Sequence, residues 1–151
     1  MTSAPNVEPL SFDDLPGAVN ALRQRGMRLS TSRRLVLEAL FAADAPVSAE
    51  HLAEQRDLDL ASVYRNLETL ERLGLARHVH FGHGPGLYVL VGRGEREYLF
   101  CEKCRRARAI EPNQLDPVRD QIKRQFGHEA RFTHFAIVGT CAGCARSSST
   151  A

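Results

Sequence analysis

The chain holds four cysteines, and all of them fall in two short pairs, Cys101-Glu102-Lys103-Cys104 and Cys141-Ala142-Gly143-Cys144. A two-residue spacer lets both thiolates of one turn reach the same ion, and two such turns complete a tetrahedral site. This constrains the fold before any helix or strand is read, because the segment between the pairs must bring its ends together around one metal. Zinc favours four thiolates in a closed structural site. One zinc per chain, held by Cys101, Cys104, Cys141 and Cys144, is therefore expected to staple a fold rather than perform chemistry. The plainer alternative is four buried thiols or two strained local disulfides. A redox dithiol is the other, although its usual form is a single CxxC beside a βαβ pattern, which the surrounding chain lacks.

A length of 151 residues suits one ordinary domain or two small ones. A domain of about 60 residues buries little surface, which gives a physical reason for a zinc staple on one half and for dimerisation. The formal net charge of +2 is too small to imply nucleic acid by itself. Its distribution says more: Arg23, Arg25, Arg28, Arg33 and Arg34 fall in an acid-free stretch from 18 to 36, and acids are frequent from 38 to 71. A solvated helix face would account for the same charges. No apolar stretch is long enough to span a bilayer, and residues 1–11 lack a basic region followed by an apolar one. The expected location is cytoplasmic, which suits reduced thiols holding zinc.

Apolar residues at Leu15, Ala18, Val19 and Leu22 have helical spacing that ends at Gly26, and Leu35, Val36, Ala39 and Leu40 mark a second helix over 32–42, with Ser30 or Thr31 as N-cap. Ser48 starts a short helix through Arg56, with Leu52 inward. The clearest stripe, Val63, Leu67, Leu70 and Leu73, predicts a helix over 60–73 stopped by Gly74. Strand-like residues 76–81 and 87–91 flank a glycine-rich turn, giving a hairpin. Helix, helix, short helix, long helix and hairpin in that order describe a winged helix-turn-helix. Beyond a linker at 92–94, strands at 98–100 and 107–110, an amphipathic helix over 115–126 and a strand over 132–138 form a small sheet domain clasped by zinc. The fold class is thus α+β: a winged helix-turn-helix over 1–91 (1–11 disordered), a hinge at 92–94, a dimerisation and zinc-binding domain over 95–145, and a flexible tail over 146–151.

In a helix-turn-helix the second helix enters the major groove with its N-terminal residues against base edges. Val63 and Leu67 face the core, leaving Ser62, Tyr64, Arg65 and Asn66 as candidate DNA contacts, with Arg28, Arg33 and neighbouring arginines on the flanking phosphates. Packing or solvation of Tyr64 and Arg65 is the bland alternative. No nucleophile with a suitable base and no glycine-rich phosphate loop is recognisable, so no enzyme, small-molecule substrate or membrane partner is expected.

Residues 21–30 (ALRQRGMRLS) with Arg33, residues 47–52 (VSAEHL), residues 61–70 (ASVYRNLETL) running into Leu73-Gly74-Leu75, and the two cysteine pairs together resemble the ferric uptake regulator family of bacterial repressors. The resemblance spans about 18–144. It implies a homodimer joined through the C-terminal sheet, binding of double-stranded DNA at inverted-repeat operators, Tyr64 and Arg65 in the major groove, and Arg28 reaching the adjacent minor groove.

The chain departs from that pattern where members sense metal. A histidine before the Val-Ser-Ala turn, an acid after the tyrosine of the second wing strand, and a histidine-rich run before the first CxxC are replaced by Pro46, Val89 and Glu95-Arg96-Glu97-Tyr98. Pro46 and Val89 offer no ligand atom, and Arg96 repels a cation, so the usual sensory site is expected to be absent. A second family site matches Glu95, Glu97, Asp116 and His134 by residue type, a donor set suited to manganese, iron, magnesium or zinc. Surface acids beside a strand are the plain alternative. His78, His80 and His83 form another cluster, as metal ligands, phosphate-binding cations near neutral pH or exposed wing residues. The function read from the sequence is a dimeric DNA-binding transcriptional repressor with a structural zinc. A zinc-thiolate redox switch or chaperone-like protein is the alternative from another class.

Overall fold

The computed structural model describes residues 12–43, 45–91 and 96–148. The segment expected to be disordered, the hinge at 92–94 and Glu95 lie outside the described residues. The chain folds as two compact units, one of Met1–Val79 with Gly86–Gly94 and one of His80–Pro85 with Glu95–Ala151.

The first unit is built on four capped helices. Asp14 caps α1 (Leu15–Gln24) by accepting the Gly17 N–H at 2.8 Å, and Ser30 caps α2 (Thr31–Ala42) by accepting that of Arg33. Ser48 caps α3 (Ala49–Arg56) and Asp59 caps α4 (Leu60–Arg72), each satisfying an otherwise orphaned first-turn N–H. Gly74, at φ +80, lets the chain leave α4 as Leu75 N–H donates back to Leu70 O at 2.9 Å. The stripes meet in a core of Leu22, Val36, Leu37, Leu52, Val63, Leu67, Leu70 and Leu75, each fully buried. Burial of one such side chain contributes roughly 1.5–3 kcal/mol. The hairpin strands are β2 (Ala76–His80) and β3 (Gly86–Leu90). A two-residue β1 (Val47–Ser48), too short to show periodicity, pairs antiparallel with β3 and completes a sheet ordered β1-β3-β2.

In the second unit β4 (Glu97–Cys101) is central, antiparallel to β5 (Ala107–Ile110) and parallel to β6 (Ile137–Gly139). A parallel partner needs a crossover, which contains a 3-10 turn (Pro112–Leu115) and α5 (Asp116–Phe126), stopped by Gly127 at φ +65. Phe81 packs against Tyr98 and stacks on Phe100 at 5.6 Å, so aromatic burial groups residues 80–85 with this unit although the sequence assigns them to the wing. The strand expected over 132–138 is shorter: β6 begins at Ile137, and before it Phe135 makes an isolated parallel bridge to His80, whose N–H donates to His134 O at 2.9 Å and whose O accepts from Ala136 N–H at 3.0 Å. Of the tail expected from 146, residues 146–148 are helical and 149–151 lie outside the described residues. Ala145 N–H donates to Cys141 O at 2.9 Å and opens α6 (Ala142–Ser148), a helix without an apolar stripe. Among the described residues no helix is long and apolar enough to cross a membrane.

Candidate metal centre and recognition helix

Strand β4 ends on Cys101, and a turn brings Cys104 back, while the short link from β6 to α6 carries Cys141 and the first turn of α6 carries Cys144. Because β6 runs beside β4, with Cys101 opposite Gly139, the two turns converge. No disulfide joins the four cysteines, and their sulfurs lie within 4.8 Å of one another. Cys104 and Cys141 Sγ are 3.9 Å apart. A tetrahedron with Zn–S bonds of about 2.3 Å has an edge of about 3.8 Å, so the geometry fits a four-thiolate zinc. The Cys141 N–H donates to Cys101 Sγ at 3.3 Å; this bond, and then the Cys104 backbone N–H, lowers the Cys101 thiol to about 6. Hydrogen bonding to Cys141 pushes Cys144 up to about 12. One ligand is thus ready for a cation and another needs the cation to displace its proton. With four thiolates filling the tetrahedron, no position remains for a substrate.

On α4, Tyr64 and Arg65 are exposed and Ser62 is partly so. Arg65 Nη2 donates to Ser62 Oγ at 3.0 Å, and the Ser62 N–H donates to Asp59, whose carboxyl is held below its usual range chiefly by its Ser62 hydrogen bonds. The Tyr64 hydroxyl donates to Glu50 Oε1 on α3 at 3.1 Å, and partial burial, followed by that bond, raises its pKa. Asn66 corrects an expectation: it is 6% exposed and faces inward. Its Nδ2 donates to Ser62 O at 3.0 Å and to Ser32 Oγ at 3.3 Å, because position 66 falls beside Val63 and Leu67 on the buried side of the helix. That contact sets the first turn of α2 beside the middle of α4. Arg33 Nη1 donates to Arg28 O at 2.6 Å, fixing the loop that carries the exposed Arg28.

The second metal site expected from Glu95, Glu97, Asp116 and His134 is not assembled among the described residues. Glu97 and Asp116 both meet the guanidinium of Arg119, and the ring of His134 lies 5.1 Å from that of His80 and 4.4 Å from that of Phe135. His83 does not join His78 and His80 in one group, since it is exposed in the turn. The histidines whose ligand atoms lie within 4.8 Å of one another are His78, His80 and His134, and His78 also meets Glu71 of α4. Sequence reasoning missed Glu50, Glu71 and Arg119 as partners. Only Arg119 had a readable signal, its i,i+3 spacing from Asp116.

Residues 24–137 match the model of the ferric uptake regulator family. The ferric uptake regulation protein of Campylobacter jejuni is 25% identical over 130 residues, covering 82% of this chain and 83% of that protein. The peroxide operon regulator of Bacillus subtilis is 22% identical over 142 residues, 91% of this chain and 97% of that protein. Among solved structures, Fur of Helicobacter pylori, described as having three functional metal-binding sites, superposes with a TM-score of 0.66 at 16% identity over 85% of this chain and 89% of its own. Fur of Vibrio cholerae gives 0.64 at 21% identity, over 82% of this chain and 99% of its own.

Proposed function

The chain belongs to the ferric uptake regulator family, whose members are DNA-binding transcription regulators rather than enzymes, and we propose that it is a homodimeric repressor reading inverted-repeat operators with α4. The observation that carries the proposal is the exposed pair Tyr64 and Arg65 near the N-terminus of the second helix of a helix-turn-helix. Base edges are read from that part of such a helix, and the aromatic ring and guanidinium suit thymine methyls, guanine and phosphate. Ser62 restrains Arg65, and Arg28 and Arg33 at the neighbouring α2 turn supply the flanking charge.

The homodimer is supported by apolar surface in the second unit. Helix α5 is amphipathic yet buries none of its residues, and Phe126 and Phe135 are 75% and 61% exposed. A second copy covering these side chains removes them from water. The four thiolates would hold one structural zinc. Its chemistry is structural: it ties the end of β4 to the start of α6, and its binding free energy is folding free energy. The family's sensory metal is a different matter in this chain, since Pro46 and Val89 carry no donor where ligands would stand.

The test is fluorescence anisotropy on double-stranded oligonucleotides selected by the protein from a random pool. Tyr64→Ala and Arg65→Ala should each weaken binding at least about tenfold, the loss expected of one base contact, and Arg65→Ala should also lower the salt slope. Unchanged affinity in the doubly substituted, folded protein refutes the reading.

A further inference from the structure

Glu97, the first residue of β4, is 2% exposed. A carboxylate so deeply buried needs a compensating cation, because an unpaired buried charge is strongly unfavourable. The cation present is the chain's own. Arg119 Nη1 donates to both Glu97 oxygens, at 2.7 Å each, and Arg119 Nη2 donates to Asp116 Oδ1 at 2.6 Å. The guanidinium therefore lies between the two carboxylates, with its Cζ 5.9 Å from the centre of the Phe132 ring.

A divalent ion is the other species that could join Glu97 to Asp116, and these acids belong to the donor set that the family resemblance assigns to one. The residues do not fit it here. Both Glu97 oxygens and one Asp116 oxygen already accept from Arg119, and His134 forms no close ligand group with the two acids among the described residues. A metal would have to shed water, expel the guanidinium and leave its positive charge uncompensated.

We propose that Arg119 is a built-in cation that permanently takes the place of a divalent metal between Glu97 and Asp116, so that the attachment of α5 to β4 does not respond to metal supply. The two carboxylates in turn hold Arg119 in its charged form, raising its pKa, with Glu97 the larger influence. The zinc site clasps one end of the sheet, and this ion pair ties the other end of β4 to the crossover helix. The inference concerns the second unit alone and stands whether or not α4 reads an operator.

The experiment uses full-length, zinc-loaded protein and manganese(II) chloride as probe, followed by electron paramagnetic resonance and thermal unfolding. Wild type should bind no manganese at this position and show the same Tm with and without it. Arg119→Ala should lose about 5 °C or more in Tm. Methylguanidinium, which restores the missing group, should recover part of that loss, and Glu97→Gln in the same background should abolish the recovery. If Arg119→Ala proves insoluble, Arg119→Lys carries the test, since a lysine keeps the charge but loses the bridging fork. It should retain part of the Tm loss while still excluding manganese. A manganese ion bound by wild type and lost in Glu97→Gln overturns the proposal, as does an Arg119 variant as stable as wild type.

Discussion

Replacing Asn66 by alanine separates a structural amide from a DNA-reading one. Asn66 lies in a helix segment whose neighbours are expected to touch DNA, yet its side chain is buried and bonded at both ends of a short path from α4 to α2. The bond to Ser62 O, at 3.0 Å, contributes about 1 kcal/mol, and the longer one to Ser32 Oγ, at 3.3 Å, about 0.5 kcal/mol. Neither acceptor is stranded by the substitution, since Ser62 O is part of the helix ladder and Ser32 Oγ keeps its contact with Ser30 Oγ at 3.3 Å. The cost of Asn66→Ala is therefore about 1–2 kcal/mol rather than the larger penalty of an orphaned polar group. For a unit of this size that is a fall in Tm of roughly 4–16 °C. Thermal unfolding by circular dichroism measures it, and anisotropy well below the transition measures binding to a selected operator and to its single-base variants. Loss of the tie between α2 and α4 should weaken all these DNAs by a similar factor. An unchanged Tm together with relaxed preference at one base pair would place Asn66 against a base and refute its structural role.

Cys101→Ser or Cys141→Ser should release zinc, unfold the second unit and convert dimer to monomer; metal analysis with sedimentation checks this, and an intact zinc-free dimer counts against it. Zinc binding should also carry a defined proton signature. Cys101 is depressed to about 6, so its contribution is fully present above the usual thiol range and is lost as pH falls through about 6. Cys144, raised to about 12, must release its proton to the buffer when the metal binds at any physiological pH. Calorimetry in buffers of differing ionisation enthalpy should therefore find fewer than four protons released at pH 7, rising toward four below pH 6 as affinity falls. A release that does not vary with pH would contradict the ionised Cys101.

The helices of the first unit were legible from local signals: a stripe with a glycine stop for α1 and α4, a cap with a stripe for α2, and the Ser48 cap for α3. Val63, Leu67, Leu70 and Gly74 define α4 in this way, and its observed bounds follow them closely, while the Asp59 cap was not read. Helix α6 has no apolar stripe, so composition alone read its last residues as a tail. The convergence of the four thiols was legible from spacing, since two such turns have few ways to meet. Asn66 was not, because a polar residue at a position between two core leucine and valine stripes looks solvent-facing until the opposing Ser32 is known. For the acidic set, residue type identifies donors, but the partner that claims Glu97 and Asp116 depends on which side of α5 faces β4.

Exposed metal ligands can be lost at little cost to a fold. Removing a cation from beside the buried Glu97 is different, because the carboxylate would remain uncompensated. A guanidinium one helical turn beyond Asp116 solves that problem within a single element, since the i,i+3 spacing aims Arg119 at both acids together. The zinc site has no comparable substitute: four thiolates whose sulfurs lie within 4.8 Å repel one another unless protons or a metal intervene. The same unit thus carries one cluster that a metal would stabilise and, at the opposite end of β4, one whose cation is covalently part of the chain. Chelation should therefore discriminate between them, loosening the end of the sheet clasped by cysteines while the Glu97–Arg119 tie persists.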